Sequence, residues 1–264
     1  MYDFIYQVPA TLSEAVAAIG SADDGKLLAG GMTLIPTLKQ RLAQPSDLID
    51  LAKIAELKGI TRDGDAIVIG AMSTHAEVAE SEVVKAAIPA LAALAGNIGD
   101  AQVRNRGTLG GSICNNDPAA DYPSALVALG ATVVTDQRRL AAEDFFTGMF
   151  ETALGLDEIV TAISFPIPDQ AAYEKFPNPA SRYAVVGVFV AKSGGTVRVA
   201  VTGAGPAVFR LPEFEQALSA SFTPGAVATL KASAVGLNAD LHASAEYRAH
   251  LITIMAKRAV AAIV

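Results

Sequence analysis

Apolar positions recur along this chain with two spacings, and they divide it into alternating helices and short strands. Leu12, Ala15, Val16 and Ile19 fall on one helical face, Thr11 and Glu14 form a capping pair ahead of them, and Gly20 closes the segment. A strand over 26–29 then delivers the chain to Gly30 and Gly31. After that turn, Thr33 caps a short helix carrying Leu34, Leu38 and Leu42, with Pro36 tolerated in its first turn. Residues 48–51 read as a strand, and 60–62 with 67–70 flank Asp63, Gly64 and Asp65 as a hairpin. Thr74 with Glu77 predicts another capped helix, and 83–95 a further one. Strands at 131–135, 139–142 and 159–165 precede a proline-bearing stretch, 166–179, read as a boundary. Beyond it, 183–192 and 196–202 form a hairpin across 193–195, and 212–218 and 244–260 read as helices.

Composition narrows what such a chain can do. Its 264 residues suffice for a large domain or two to three compact subdomains with a core that needs no disulfide. A net charge of -7, with no basic run or face, argues against nucleic acid or an anionic membrane as the main partner. Hydrophobic residues make up 52% of the chain, but runs such as 183–191 are too short to span a bilayer, so the excess is assigned to core and interface. The N-terminal MYDFIYQVP lacks a basic region followed by an apolar stretch, and a cytoplasmic location is expected. The single cysteine, Cys114, cannot hold an iron–sulfur cluster, and His75, His242 and His250 show no zinc spacing, so no metal is assigned.

The chemistry concentrates in two glycine-rich segments far apart in the chain, AGGMT at 29–33 and RGTLGGS at 106–112. Glycines serve where backbone must approach an oxyanion closely or adopt positive φ, and paired amides can hold a diphosphate without a lysine. A double glycine after a strand is also an ordinary packing turn. The second segment lies in a stretch, 96–121, rich in Gly, Asn and Asp, which reads as a loop of a length that a compact protein usually keeps for function.

Both segments resemble those of the FAD-binding subunits of molybdenum hydroxylases, the aerobic carbon monoxide dehydrogenase and xanthine dehydrogenase family. The similarity runs the whole chain, through DFFTGMFETAL at 144–154, DEIVTAISFP at 157–166 and KFPNPASRYAVVGVFVAK at 175–192. The resemblance implies an α+β protein with a vanillyl-alcohol-oxidase-like (PCMH-type) FAD-binding fold in two subdomains, 1–56 and 57–170, followed by a C-terminal α+β domain, 171–264. It further implies an electron-transfer subunit that binds FAD and works beside a large molybdenum-cofactor subunit and a small iron–sulfur subunit, as a dimer of heterotrimers. Peripheral membrane association of that complex is compatible with it.

Site residues follow by position. Ala29, Gly30, Gly31, Met32, Thr33 and Leu34 would wrap one side of the diphosphate, and Gly107, Thr108, Gly110, Gly111 and Ser112 would supply amides and hydroxyls from the other. Asn115 and Asp121 would meet the ribityl part of the flavin; the alternative for Asp121 is an N-cap ahead of Tyr122 and Pro123. Ile98, Gly99 and Val103 would form an apolar wall, with ordinary packing as the rival reading. Tyr183 would lie by the ring, or simply begin an apolar strand; Val160 and Lys175 complete the set. Arg104 and Arg106 read as braces for the loop, with phosphate contact as the alternative, His75 as a helix-surface residue and Cys114 as a small buried filler. Many relatives carry AGGHS where this chain has AGGMT, so Met32 replaces a histidine. No catalytic acid, base or nucleophile is assigned. Two other readings stay open: a free-standing FAD oxidoreductase of the same fold, and a scaffold protein that has lost FAD.

Overall fold

The computed structural model describes residues 1–263. The chain opens with β1 (Ile5–Gln7), α1 (Leu12–Ser21), β2 (Gly25–Leu28), α2 (Leu34–Lys39) and β3 (Asp47–Asp50), and the strands form a parallel sheet in the order β1-β3-β2. Thr11 caps α1 by accepting from the Glu14 amide at 3.2 Å, while the Glu14 carboxylate reaches past the cap to the Ala10 amide at 2.7 Å. Ala15 and Ile19 on its inner face pack with Ile49, Ile54 and Leu57. The helix after the first glycine pair is shorter than expected. It ends at Lys39 because Arg41 adopts a φ of 60°, which leaves Leu42 outside the helix and exposed.

The middle of the chain contains β4 (Ile60–Asp63) and β5 (Ala66–Gly70), then α3 (His75–Glu80), α4 (Glu82–Ala87), α5 (Pro89–Gly96), α6 (Ala101–Arg104), α7 (Leu109–Asn115) and α8 (Tyr122–Leu129). It continues through β6 (Thr132–Thr135), β7 (Arg139–Ala141), α9 (Ala142–Phe145), a small hairpin of β8 (Phe146–Gly148) and β9 (Glu151–Thr152), and β10 (Val160–Pro166). An antiparallel sheet in the order β4-β5-β10-β6-β7 backs these helices. Two expectations are corrected here. Residues 83–95 are two helices, because Pro89 has no N–H and turns Ile88 out of helical geometry, to φ -139° and ψ 70°. The 96–121 stretch is not a loop, since it folds into α6 and α7 with short connections. Every residue of α8 is buried, and its Leu126 joins Leu91, Leu94, Leu109, Ile113 and Phe165 in the largest core.

The C-terminal part contains β11 (Gln170–Pro177), β12 (Ala184–Ser193), β13 (Thr196–Thr202) and β14 (Phe209–Arg210) in that order in an antiparallel sheet, followed by α10 (Pro212–Ala220), α11 (Pro224–Val227) and α12 (Ala245–Ile263). The proline-bearing boundary is therefore a strand: Pro177 sits at its end, on the sheet edge, where a missing N–H costs no ladder bond. Gly194 and Gly195, at φ 53° and 86°, close the β12–β13 hairpin. Apart from its last two residues, β12 is buried throughout because α12 covers one face and α8 the other, so it reads as an unbroken apolar run. No helix among the described residues is long and apolar enough to cross a membrane.

Candidate cofactor site

The two glycine segments meet. Beyond Leu28 the chain turns through Gly30 and through Gly31, whose φ of 75° is left-handed. A Cβ at Gly30 would run into the Arg106 carbonyl oxygen and stand 2.8 Å from the Gly107 Cα, so the segments touch through their main chains. The second segment is tied down from behind. His75 N–H donates to the Gly107 carbonyl at 2.9 Å, Leu109 N–H to Ser73 at 3.0 Å and Gly110 N–H to Ala71 at 2.8 Å. Between the segments opens a cavity of about 600 Å³.

Their amides are used differently. Gly107, Leu109, Gly110 and Ser112 donate to backbone carbonyls, and Gly111 donates to the Thr108 hydroxyl at 3.1 Å. The expected supply of free amides from Gly107, Thr108, Gly110, Gly111 and Ser112 is thus corrected to the Thr108 N–H, which has no acceptor among the described residues, because folding has already consumed the other four. Thr108 is the N-cap of α7. In the first segment, the N–H groups of Gly30, Gly31, Met32 and Thr33 have no acceptor among the described residues. Thr33 makes no side-chain cap bond, which corrects its reading as a helix cap and leaves its hydroxyl beside the cavity.

Ala29, Leu34, Ile98, Gly99, Val103, Asn115, Val160 and Tyr183 also line this cavity, together with both glycine segments and Asp121. Lys175 does not line it and stands one layer behind. Its ammonium pairs with Asp121 at 2.9 Å, with both side chains buried, and donates to the Asn97 carbonyl at 2.8 Å. Asp121 makes no cap bond to α8. Burial raises its affinity for a proton, against the pull of Lys175 and of the Tyr173 hydroxyl. Tyr183 is 46% exposed at the mouth, and desolvation followed by the charges of Asp117 and Asp121 raises its phenol.

Arg104 braces the loop, as expected, by donating to the Ile98 and Gly99 carbonyls at 3.1 Å. His75 is corrected: it lies under Gly107, 4% exposed, and burial with the Arg104 charge lowers its pKa to about 4. Cys114 borders the cavity, and burial pushes its thiol up to about 12, so it stays protonated. Sequence reasoning missed Glu158. This cavity-lining carboxylate is held at about 2 by hydrogen bonds from Arg138, at 2.8 Å, and remains an anion. It also missed Tyr173, because no local pattern links a tyrosine on one strand to a carboxylate 52 positions earlier. No cluster of three metal-ligating side chains occurs among the described residues.

This site, with glycines packed main chain to main chain and open amides beside a largely apolar cavity that also carries carboxylates and hydroxyls, has the build of a dinucleotide-binding flavoprotein. The chain belongs to the family of FAD-binding flavoprotein subunits of molybdopterin dehydrogenases. Residues 2–168 match the family model for the FAD binding domain in molybdopterin dehydrogenase, and 171–263 that for the CO dehydrogenase flavoprotein C-terminal domain. The chain is 38% identical to the carbon monoxide dehydrogenase medium chain of Hydrogenophaga pseudoflava, over 97% of this chain and 95% of that one. It is 36% identical to the nicotine 6-hydroxylase medium subunit of Paenarthrobacter nicotinovorans, with the same coverage of 97% and 95%. Among solved structures, reconstituted CO dehydrogenase from Oligotropha carboxidovorans superposes with a TM-score of 0.91 at 33% identity, covering 98% of this chain and 97% of that chain. The protein is an FAD-dependent oxidoreductase subunit.

Proposed function

We propose that this chain is the electron-transfer subunit of a molybdenum hydroxylase, accepting electrons from iron–sulfur clusters on a small partner subunit and passing them to an external acceptor. A large partner would hold the molybdenum cofactor, in a dimer of heterotrimers. The observation that carries this reading is the contact of Gly30 with the Arg106–Gly107 backbone beside a row of open amides. When bound, FAD supplies the ability to exchange electrons singly or in pairs.

The chain's own residues bind and orient. Gly30, Gly31, Met32 and Thr33 would offer amides to the diphosphate, which needs no cationic side chain where N–H dipoles converge. Gly107, Thr108, Gly110, Gly111 and Ser112 form the opposing wall, and their lack of bulk lets a ligand come close. Asn115 and Asp121 face the polyol, Ile98, Gly99 and Val103 give an apolar side, and Tyr183 stands over the mouth. Lys175 acts through Asp121. The relatives' designations as medium chains support a partner-dependent role.

Flavin content of the purified chain tests the site. Wild type should be yellow with bound FAD, and Gly31→Asp with Gly111→Asp should be colourless, through bulk and charge repulsion. Wild type that stays colourless after FAD addition would refute the cofactor reading. The relay is tested by reducing the reconstituted complex with its organic or gaseous substrate: the flavin should be reduced only when the small subunit is present. Equally fast flavin reduction by the chain alone would sink it.

A further inference from the structure

β11 carries the C-terminal part of the molecule up to the cofactor cavity. Tyr173 and Lys175 lie two residues apart on it, so the pleat sets both on one face. The Tyr173 hydroxyl donates to Asp121 Oδ1 at 2.6 Å, and the Lys175 ammonium pairs with the same oxygen at 2.9 Å. No other residue is paired with Asp121 Oδ2 among the described residues, Asp121's own amide also holds the carboxylate, and Asp121 lines the cavity. The position of the hydroxyl is built in from both sides. Across the sheet, a Cβ at Gly187 would run into Tyr173 Oη and stand 2.9 Å from Thr202 Cγ2. The Tyr173 ring stacks on Phe189, its cross-strand partner, at 6.1 Å and 29°.

We infer that Tyr173 is a positioning residue for the flavin site, its hydroxyl clamping Asp121 by one oxygen so that the other is presented to the polyol of FAD. This rests on the cofactor reading above. An ammonium is a compact charge with freely rotating donors, so Lys175 alone neutralises the carboxylate without fixing its rotation. The hydroxyl adds a short directional bond to the same atom, and two donors at one oxygen set the plane of the other.

The test is a double-mutant cycle on the full chain, reading FAD affinity and flavin midpoint potential for wild type, Tyr173→Phe, Asp121→Asn and the pair. Tyr173→Phe should weaken FAD binding about tenfold, the lower end for a hydrogen bond to a charged group. It should shift the potential in the same direction as Asp121→Asn, and change little once Asp121 is already Asn. Gly187→Ala, which keeps the hydroxyl and displaces it, should weaken binding by a smaller factor. Wild-type affinity in both Tyr173→Phe and Gly187→Ala beside a weakened Asp121→Asn, or losses that add fully in the pair, would overturn the positioning role and leave the cavity reading intact. Failure of wild type to bind FAD would overturn both.

Discussion

The two glycine segments look alike as text and differ as structure. In the first, at 29–33, the main chain is left with unpartnered donors beside the cavity; in the second, at 106–112, every donor except the Thr108 N–H is spent on carbonyls of residues 71, 73, 103 and 108 or on the Thr108 hydroxyl. Each kind of glycine thus answers a different demand. Gly31 supplies a left-handed turn that exposes amides, whereas Gly107 and Gly110 allow close packing, against His75 and the Ala71 carbonyl. One segment is organised to bind and the other to stay put.

That contrast can be broken where the segments touch. Gly30→Ala drives a methyl group into the Arg106 carbonyl, and FAD should be lost entirely with a stability penalty of about 3 kcal/mol, the upper range for overpacking. Flavin absorbance and thermal unfolding of the purified variant check it, and retained FAD would show that the contact is dispensable.

The packed side should also be the acid-sensitive one. His75 has a folded pKa of about 4 against 6.5 in an unfolded chain, so the unfolded state takes up the proton first as pH falls. Stability should therefore fall from pH 6.5 to about 4 and level off below, losing up to about 3 kcal/mol from this residue. Urea unfolding across that window should show the slope, and His75→Gln should flatten it.

A smaller effect separates backbone strain from packing. Gly31→Ala places a side chain at φ 75° and 2.9 Å from Ile35 Cγ1, and should cost about 1–2 kcal/mol while weakening FAD more than it lowers the melting temperature of the FAD-free chain. The counterpart in the second segment is Thr108→Val, which removes the cap on Gly111 and should cost about 1 kcal/mol of stability with little change in FAD affinity. Calorimetric titration of both variants with FAD decides the matter. If Thr108→Val loses more affinity than Gly31→Ala, the assignment of binding to one segment and support to the other is reversed.

Much of this is legible in the residue order. The capping pairs at Thr11 and Thr74, the Asp63–Asp65 turn and the β12–β13 hairpin all follow from neighbours a few residues apart, where side-chain oxygens and positive φ act locally. Where local rules compete, residue order leaves the outcome open. Pro89 outweighed the apolar run across 83–95, and β11 went unseen because its edge position tolerates a proline and mixes polar with apolar residues. His75 was misplaced because a capped helix start suggests a surface, and the loop that buries it lies some thirty positions further on.

Residue order alone settled which groups are present, the local turns and caps, and the resemblance that implies FAD, since these depend on identities and short spacings. Which amides stay open, which carboxylate is clamped and how the two glycine segments share their labour were settled only by folding. A hydrogen-bonding group can be spent once, and whether Gly110 N–H meets Ala71 or a ligand depends on what the rest of the chain brings within 3 Å of it.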